Sequence, residues 1–184
     1  MANQTTEDVF SLLDNLLKWT KSQIGKLKVV YQELNMVEVV EGVSEIFTMV
    51  AGLKNIKIVQ DMPVVPVVVR ADIDMLKTVI RNLISNAIKF SNEGSEVLVS
   101  LTEEDGMAIV SVKDSGCGID EENQKKLLHT DTHFSTFGTN NEEGSGLGLL
   151  LCQDFIVKNG GKLWFTSKKG EGSTFSFSVP LLEK

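Results

Sequence analysis

Between Asp72 and Phe90 the sequence places two stripes on one helix, and few folds satisfy both. Ile73, Leu76, Ile80, Leu83, Ile84, Ala87 and Ile88 recur at spacings of three and four behind a capping Asp72, which predicts a helix with one core-facing side. Asn82, Asn86 and Lys89 stand at i, i+4 and i+7 and share a different face. Two amides and an ammonium on one face can ligate a hard cation and hold phosphate oxygens, because Mg²⁺ takes few protein oxygens and shares phosphates. For an isolated N-x-x-x-N pair a solvated polar face is the commoner explanation, so the pattern needs support elsewhere in the chain.

The surrounding segments supply the layer that covers the apolar stripe. Asn35 and Glu38 have the spacing of a capping box before a helix carrying Met36, Val39, Val40, Val43, Phe47 and Val50. Short β-rich runs follow at Ile56 to Gln60 and Val64 to Val69, with Pro63 and Pro66 pushing the second toward a sheet edge. Val97, Val99 and Leu101, a turn at Asp105-Gly106, and Met107 to Val112 predict a β-hairpin. Asp120 can cap a short helix ending near Leu128, and residues 129–145 form a long polar connection of the kind that is usually functional or mobile. Gly146 to Asn159 predicts a helix closed by Asn159-Gly160, before a hairpin of Lys162 to Thr166 and Ser173 to Val179. The pattern is an α/β two-layer sandwich: a mixed, mostly antiparallel sheet covered on one face by helices. With 184 residues the chain buries roughly 70% of its unfolded surface, enough for one substantial core and an appendage.

That appendage is the N-terminal stretch. Val9, Leu12, Leu13, Leu16, Leu17, Trp19 and Ile24 describe an amphipathic helix ahead of Gly25, while Tyr31 to Asn35 look irregular. Its stripe either folds back onto the domain or meets a partner helix, and periodicity favours neither.

Two further segments bear on chemistry. Asp114-Ser115-Gly116-Cys117-Gly118-Ile119 follows a strand directly; its glycines let backbone approach a flat ligand, and its carboxylate can accept a hydrogen bond from an exocyclic amine. Unaccompanied, the same run is an ordinary turn. Gly144-Ser145-Gly146-Leu147-Gly148-Leu149 opens a helix, where unpaired N–H groups and the positive helix end form an anion site. No Lys-Ser/Thr pair ends it, so it is not a P-loop, and loop rather than strand precedes it, so it is not a dinucleotide-binding fingerprint. The net charge of −7 argues against broad binding to nucleic acid or anionic lipid. Cys117 and Cys152 are too few for a disulfide scaffold and have no zinc spacing, no apolar run reaches membrane-spanning length, and the first residues lack a signal pattern.

In order and spacing, Asn82-x-x-x-Asn86-Ala-x-Lys89-Phe90, Asp114-x-Gly116-x-Gly118-Ile119, Gly144-x-Gly146-Leu147-Gly148-Leu149 and Gly172-Ser173-Thr174-Phe175 resemble the N, G1, G2 and closing boxes of the GHKL ATP-binding superfamily. Within it they are similar to the catalytic and ATP-binding domain of sensor histidine kinases, over roughly residues 35–182. The resemblance implies that Asp114 binds the adenine amino group, with Gly116, Gly118 and Ile119 shaping the base end. Asn86 would ligate Mg²⁺ with help from Asn82, Lys89 would contact phosphate and Phe90 would flank the pocket. Thr174 would sit beneath the base, while Gly144, Ser145, Gly146, Leu147, Gly148 and Leu149 would anchor the phosphates. Residues 129–143 would be the lid; Phe134 or Phe137 stands near the place of the family's aromatic box, and Phe134 and Thr136 join the nucleotide-contacting set.

Members that hydrolyse ATP carry a glutamate at the first N-box position to activate water, and here that residue is Asn82, whose amide cannot take a proton. The resemblance therefore implies a protein-histidine kinase that passes the γ-phosphoryl group to a histidine on a separate helical segment, for relay to a response-regulator receiver domain. Leu12 to Leu27 resembles the end of the second helix of the dimerisation and phosphoacceptor hairpin, which favours packing against a partner and a homodimer through this helix. Residues 1–30 are then a truncated hairpin and residues 31–184 the ATP-binding domain. The hairpin's acceptor histidine is missing, and His129 and His133 read as solvated loop residues. The expected setting is cytoplasmic, with any membrane anchor carried by other parts of the parent protein. A regulatory ATP-binding module without phosphotransfer, a gyrase-like conformational machine and an anti-sigma-type serine kinase are the alternatives.

Overall fold

A computed structural model of the chain describes residues 2–127 and 147–183. In chain order the elements are α1 (Ala2–Gln23), β1 (Gln32–Asn35), α2 (Met36–Leu53), β2 (Lys57–Asp61), β3 (Val68–Ala71), α3 (Ile73–Phe90), β4 (Glu96–Glu104), β5 (Met107–Asp114), α4 (Glu121–Gln124), α5 (Gly148–Lys158), β6 (Leu163–Lys168) and β7 (Gly172–Pro180). Five strands form one sheet in the order β2-β4-β5-β7-β6, and β1 and β3 make a separate antiparallel pair. Among the described residues of this sheet only β2 and β4 run parallel; β4–β5, β5–β7 and β6–β7 are antiparallel. The result is a two-layer α/β fold.

The core lies between the sheet and α2, α3 and α5. Val97, Val99 and Leu101 of β4, Ala108, Val110 and Val112 of β5, and Phe177 and Val179 of β7 alternate onto the helix side, where Leu76, Val79, Ile80, Leu83 and Ile84 of α3 are fully covered. Each such aliphatic side chain contributes about 1.5–3 kcal/mol by leaving water. Asp72 starts α3 by accepting the amides of Asp74 and Met75 on Oδ1 at 3.0 and 3.1 Å. The β4–β5 turn has Asp105 at φ 50° and Gly106 at φ 75°, the two left-handed residues that a tight antiparallel hairpin requires.

Several boundaries differ from the sequence expectation for identifiable reasons. Tyr31 to Asn35 is not irregular throughout, because Gln32–Asn35 pairs with Val68–Ala71. The strand expected at Val64 to Val69 begins only at Val68, after Pro63 and Pro66. Asn35 does cap α2 through Val37, but Glu38 bonds the Asn35 side-chain amide at 2.9 Å. Val50 is 47% exposed and does not belong to the α2 core stripe. The short helix after Asp120 is a single turn, Glu121–Gln124, and α5 runs from Gly148 behind Leu147. The expected sites Phe134, Thr136, Gly144, Ser145 and Gly146, together with His129, His133 and Phe137, lie outside the described residues.

At the N-terminus α1 folds back onto the domain at its C-terminal end. Phe10, Leu13 and Leu17 are 73%, 56% and 53% exposed, whereas the end of α1 docks on α5. There Ser22 donates to the Asp154 carboxylate, and Trp19 and Leu27 pack against the core.

Candidate functional site

Asp114 occupies the next inward position after Ala108, Val110 and Val112, so a carboxylate stands where the apolar row of β5 ends. It is 4% exposed, and its Oδ1 accepts the amides of Gly116 at 2.9 Å and Ser173 at 3.3 Å. Burial pushes its pKa up, and those two backbone bonds pull against the shift. Among the described residues both bonds end on Oδ1, which leaves Oδ2 for an exocyclic amine.

The glycines of the following loop lie tight against other parts of the chain. A Cβ on Gly116 would lie 2.0 Å from the Phe90 carbonyl oxygen, and one on Gly118, at φ +62°, would lie 2.0 Å from the Lys168 carbonyl oxygen. At both positions the chain's own backbone occupies the place a Cβ would take. Cys117 N–H donates to Phe90 O at 3.2 Å and Gly170 N–H to Cys117 O at 2.7 Å, so the loop is fastened to the end of α3 on one side and to the β6–β7 turn on the other.

Strand register sets the residue beside Asp114. Cross-strand partners share a face, and Asp114 pairs with Ser173 while Thr174 pairs with Lys113. Ser173 therefore shares the inward face with Asp114, and Thr174 belongs to the opposite face.

On α3, Asn82, Asn86, Lys89 and Phe90 are all half-buried, as their spacing predicts for one flank of the core stripe. The Asn82 amide nitrogen donates to Cys152 Sγ at 3.5 Å, and a Cβ on Gly148 would lie 3.7 Å from Asn82 Oδ1. Burial pushes the Cys152 thiol up to about 12, so it stays protonated and serves as a weak acceptor. Lys89 Nζ sits 5.1 Å from the centre of the Phe90 ring. Leu147, at the start of α5, carries an apolar side chain that cannot itself cap the helix.

Two contributors carried no sequence signal. Lys54 Nζ donates to the carbonyls of Ile88 and Lys89 at 3.1 and 2.9 Å and so holds the last turn of α3, where Lys89 and Phe90 leave the helix. Ser167 of β6 binds the amide of Ile119 at 2.8 Å. Both join residues far apart in the chain, and nothing in local spacing announces such contacts.

The family model described as "Histidine kinase-, DNA gyrase B-, and HSP90-like ATPase" matches residues 71–183. The adaptive-response sensory kinase SasA of Crocosphaera subtropica is 34% identical over 171 residues, covering 92% of this chain and 44% of that protein. Sensor histidine kinase WalK of Bacillus subtilis is 28% identical over 181 residues, 97% of this chain and 30% of that one. The chain thus spans less than half the length of these curated relatives. Among solved structures, the nucleotide-free catalytic domain of histidine kinase ThkA superposes with a TM-score of 0.70 at 30% identity, over 82% of this chain and 95% of that one. ThkA in complex with the response regulator protein TrrA shares the fold over 98% of this chain and 49% of that one, with a TM-score of 0.76 at 23% identity. With Asp114 at its strand end, the asparagine face on α3 and the matched segment running through all of them, the chain belongs to the histidine kinase-, DNA gyrase B- and HSP90-like ATPase family, as an ATP-binding catalytic domain of the sensor histidine kinase kind.

Proposed function

We propose that this domain binds Mg-ATP and transfers the γ-phosphoryl group to a histidine on a separate helical segment, from which a response regulator receives it. One observation carries the reading. Gly116 packs on Phe90 at one end of the α3 polar face, and Gly148 packs beside Asn82 at the other. Phe90 follows Asn82 by eight positions on the helix, about 12 Å at 1.5 Å per residue, the scale of an extended nucleoside triphosphate. The base then lies at Asp114 and the phosphates lie toward α5.

The donor set fits this ligand. Asp114 Oδ2 accepts the exocyclic amine, and Lys89 with the α5 N-terminus balances phosphate charge. The Asn82 and Asn86 amide oxygens would hold Mg²⁺, which would supply positive charge against the phosphate oxygens. An amide at position 82 takes no proton from water, so the γ-phosphoryl group is kept for an incoming imidazole. An imidazole nitrogen lone pair forms the N–P bond as the bond from γ-phosphorus to the bridging oxygen breaks, and ADP departs with that electron pair.

Residues 1–30 serve in this reading as the end of a dimerising helical hairpin, with residues 31–184 as the nucleotide domain in the cytoplasm. Among the described residues no helix is long and apolar enough to cross a membrane. Incubating the chain with γ-labelled Mg-ATP and a separately expressed hairpin from the same protein should label a hairpin histidine. ATP binding without any label on the hairpin would defeat phosphotransfer while leaving the nucleotide site standing.

A further inference from the structure

We infer that Ser167 is a positioning residue for the base end of the nucleotide site, acting through Ile119 and Ser173; the inference rests on the ATP-binding reading above. Its hydroxyl stands 2.8 Å from Ile119 N, 2.8 Å from Ser173 Oγ and 3.2 Å from Gly172 O. A serine hydroxyl offers one donor and two acceptor sites. Accepting from the Ile119 amide and the Ser173 hydroxyl while donating to the Gly172 carbonyl uses all three, so this arrangement has one consistent proton pattern.

Each partner belongs to a different part of the site. Ile119 ends the loop that begins at Asp114, and Ser173 sends its own amide to Asp114 Oδ1 at 3.3 Å. Gly172 packs so closely on Asp114 that a Cβ there would lie 2.1 Å from the Asp114 carbonyl oxygen. One hydroxyl on β6 therefore fixes both segments that flank the carboxylate, although β6 has no direct pairing with β5. Gln124 braces the same joint from α4, its Nε2 donating to Ile119 O at 2.7 Å and to Ser167 O at 3.0 Å.

Without the Ser167 hydroxyl, the Ile119 amide and the Ser173 hydroxyl lose their partner together. The loop then lifts from the sheet and Asp114 loses its fixed direction toward the exocyclic amine. Recognition of the base weakens more than the hold on phosphate, because α3 and α5 are untouched. Discrimination between a 6-amino and a 6-oxo purine is accordingly the quantity that falls.

Ser167→Thr and Ser167→Val test this, since the two side chains have nearly the same shape and differ in the hydroxyl; both are at home in a strand. Dissociation constants for ATP and GTP are measured by calorimetry on the parent and both variants, with melting temperature without nucleotide as the check on folding. The inference expects Ser167→Thr to keep the parent's ATP-to-GTP ratio and Ser167→Val to lose about ten-fold of ATP affinity with little change for GTP, one hydrogen-bonding step in free energy. Equal ratios in the two variants would overturn it, as would a Val variant whose ATP and GTP affinities fall together. A Val variant that does not fold beside a Thr variant that does, yet binds ATP ten-fold worse than the parent, would overturn it too; a folded Thr variant with the parent ratio would support it. Failure of the parent itself to bind ATP would refute the nucleotide reading, which keeps the two failures apart.

Discussion

Asp114 is a buried acid whose charge is held by two backbone amides, and that tension makes its behaviour with pH a test of its role. Because burial outweighs the amide bonds, its pKa lies above the usual carboxylate value, and ATP affinity should fall on acidification before an exposed aspartate would titrate. For folding the sign is the reverse: the native state takes up the proton more readily than the unfolded chain, so this group favours the native state at low pH and that contribution is lost as pH rises through the raised pKa. Asp114→Asn should remove both dependences and weaken ATP binding about 10- to 100-fold, as expected for a hydrogen bond to a charged acceptor, and calorimetry across a pH series reads both effects. An Asn variant that bound ATP like the parent would remove the carboxylate from base recognition. Glycine substitutions separate close approach from mere flexibility. Gly116→Ala must displace the Phe90 carbonyl, costing about 1–3 kcal/mol or more, whereas Gly42→Ala in α2, where a Cβ meets nothing within 4 Å, should be neutral or stabilise by about 0.5–1 kcal/mol. Thermal melts compare the two, and similar shifts would contradict the packing described for Gly116. At this scale the sequence disclosed the residue types around Asp114, but not that Ser173 shares its face, because only the β5–β7 register decides which side chain stands beside it.

Helix α3 is the element on which the site is built, and its two stripes were legible because a helix obeys local spacing. What holds its C-terminal turn was not legible, because Lys54 arrives from the end of α2 and its reach depends on tertiary packing. Only 9% of Lys54 is exposed, and its ammonium serves the carbonyls of Ile88 and Lys89 at the point where Lys89 and Phe90 enter the site. Lys54→Met keeps the apolar stem and removes the donor. It should cost about 1.5–3 kcal/mol, the range for hydrogen bonds from charged groups, and should lower ATP affinity by loosening the Phe90 end of α3. A melting temperature and an ATP affinity both equal to the parent's would show that the ammonium does not hold this turn. Strand pairing escaped the sequence for the same physical reason. Gln32 to Asn35 has no alternation to announce a strand and becomes one only because Val68 to Ala71 lies opposite, whereas the β4–β5 hairpin was plain because Asp105-Gly106 fixes its own turn.

At the scale of the whole molecule, α1 touches the nucleotide domain at one end and exposes Phe10, Leu13 and Leu17 farther from it. Its anchor is polar and specific. Ser22 bonds Asp154, which also pairs with Lys158 at 2.7 Å; the Tyr31 hydroxyl donates to the Lys158 carbonyl at 2.7 Å; and the Val30 amide donates to Asp72 Oδ2 at 2.8 Å. The Asp72 amide also donates to Asn159 Oδ1 at 2.8 Å, so the segment after α1 is tied to the start of α3 and the end of α5 together. On α5 these contacts fall at Asp154 and Lys158, six and ten residues from Gly148 at its other end. Phe10, Leu13 and Leu17, at i, i+3 and i+7, form a seam that a second helix can cover. Leu13→Glu with Leu17→Glu should therefore turn a concentration-dependent dimer into a monomer in sedimentation while leaving the ATP dissociation constant unchanged, since the seam and the nucleotide site share no residue. A parent chain that sediments as a monomer at every concentration reached would remove the seam as a self-association surface. A dimer that survived both glutamates would move the contact elsewhere, and a loss of ATP affinity in the double variant would show that the two ends of α5 are coupled more tightly than their separation implies.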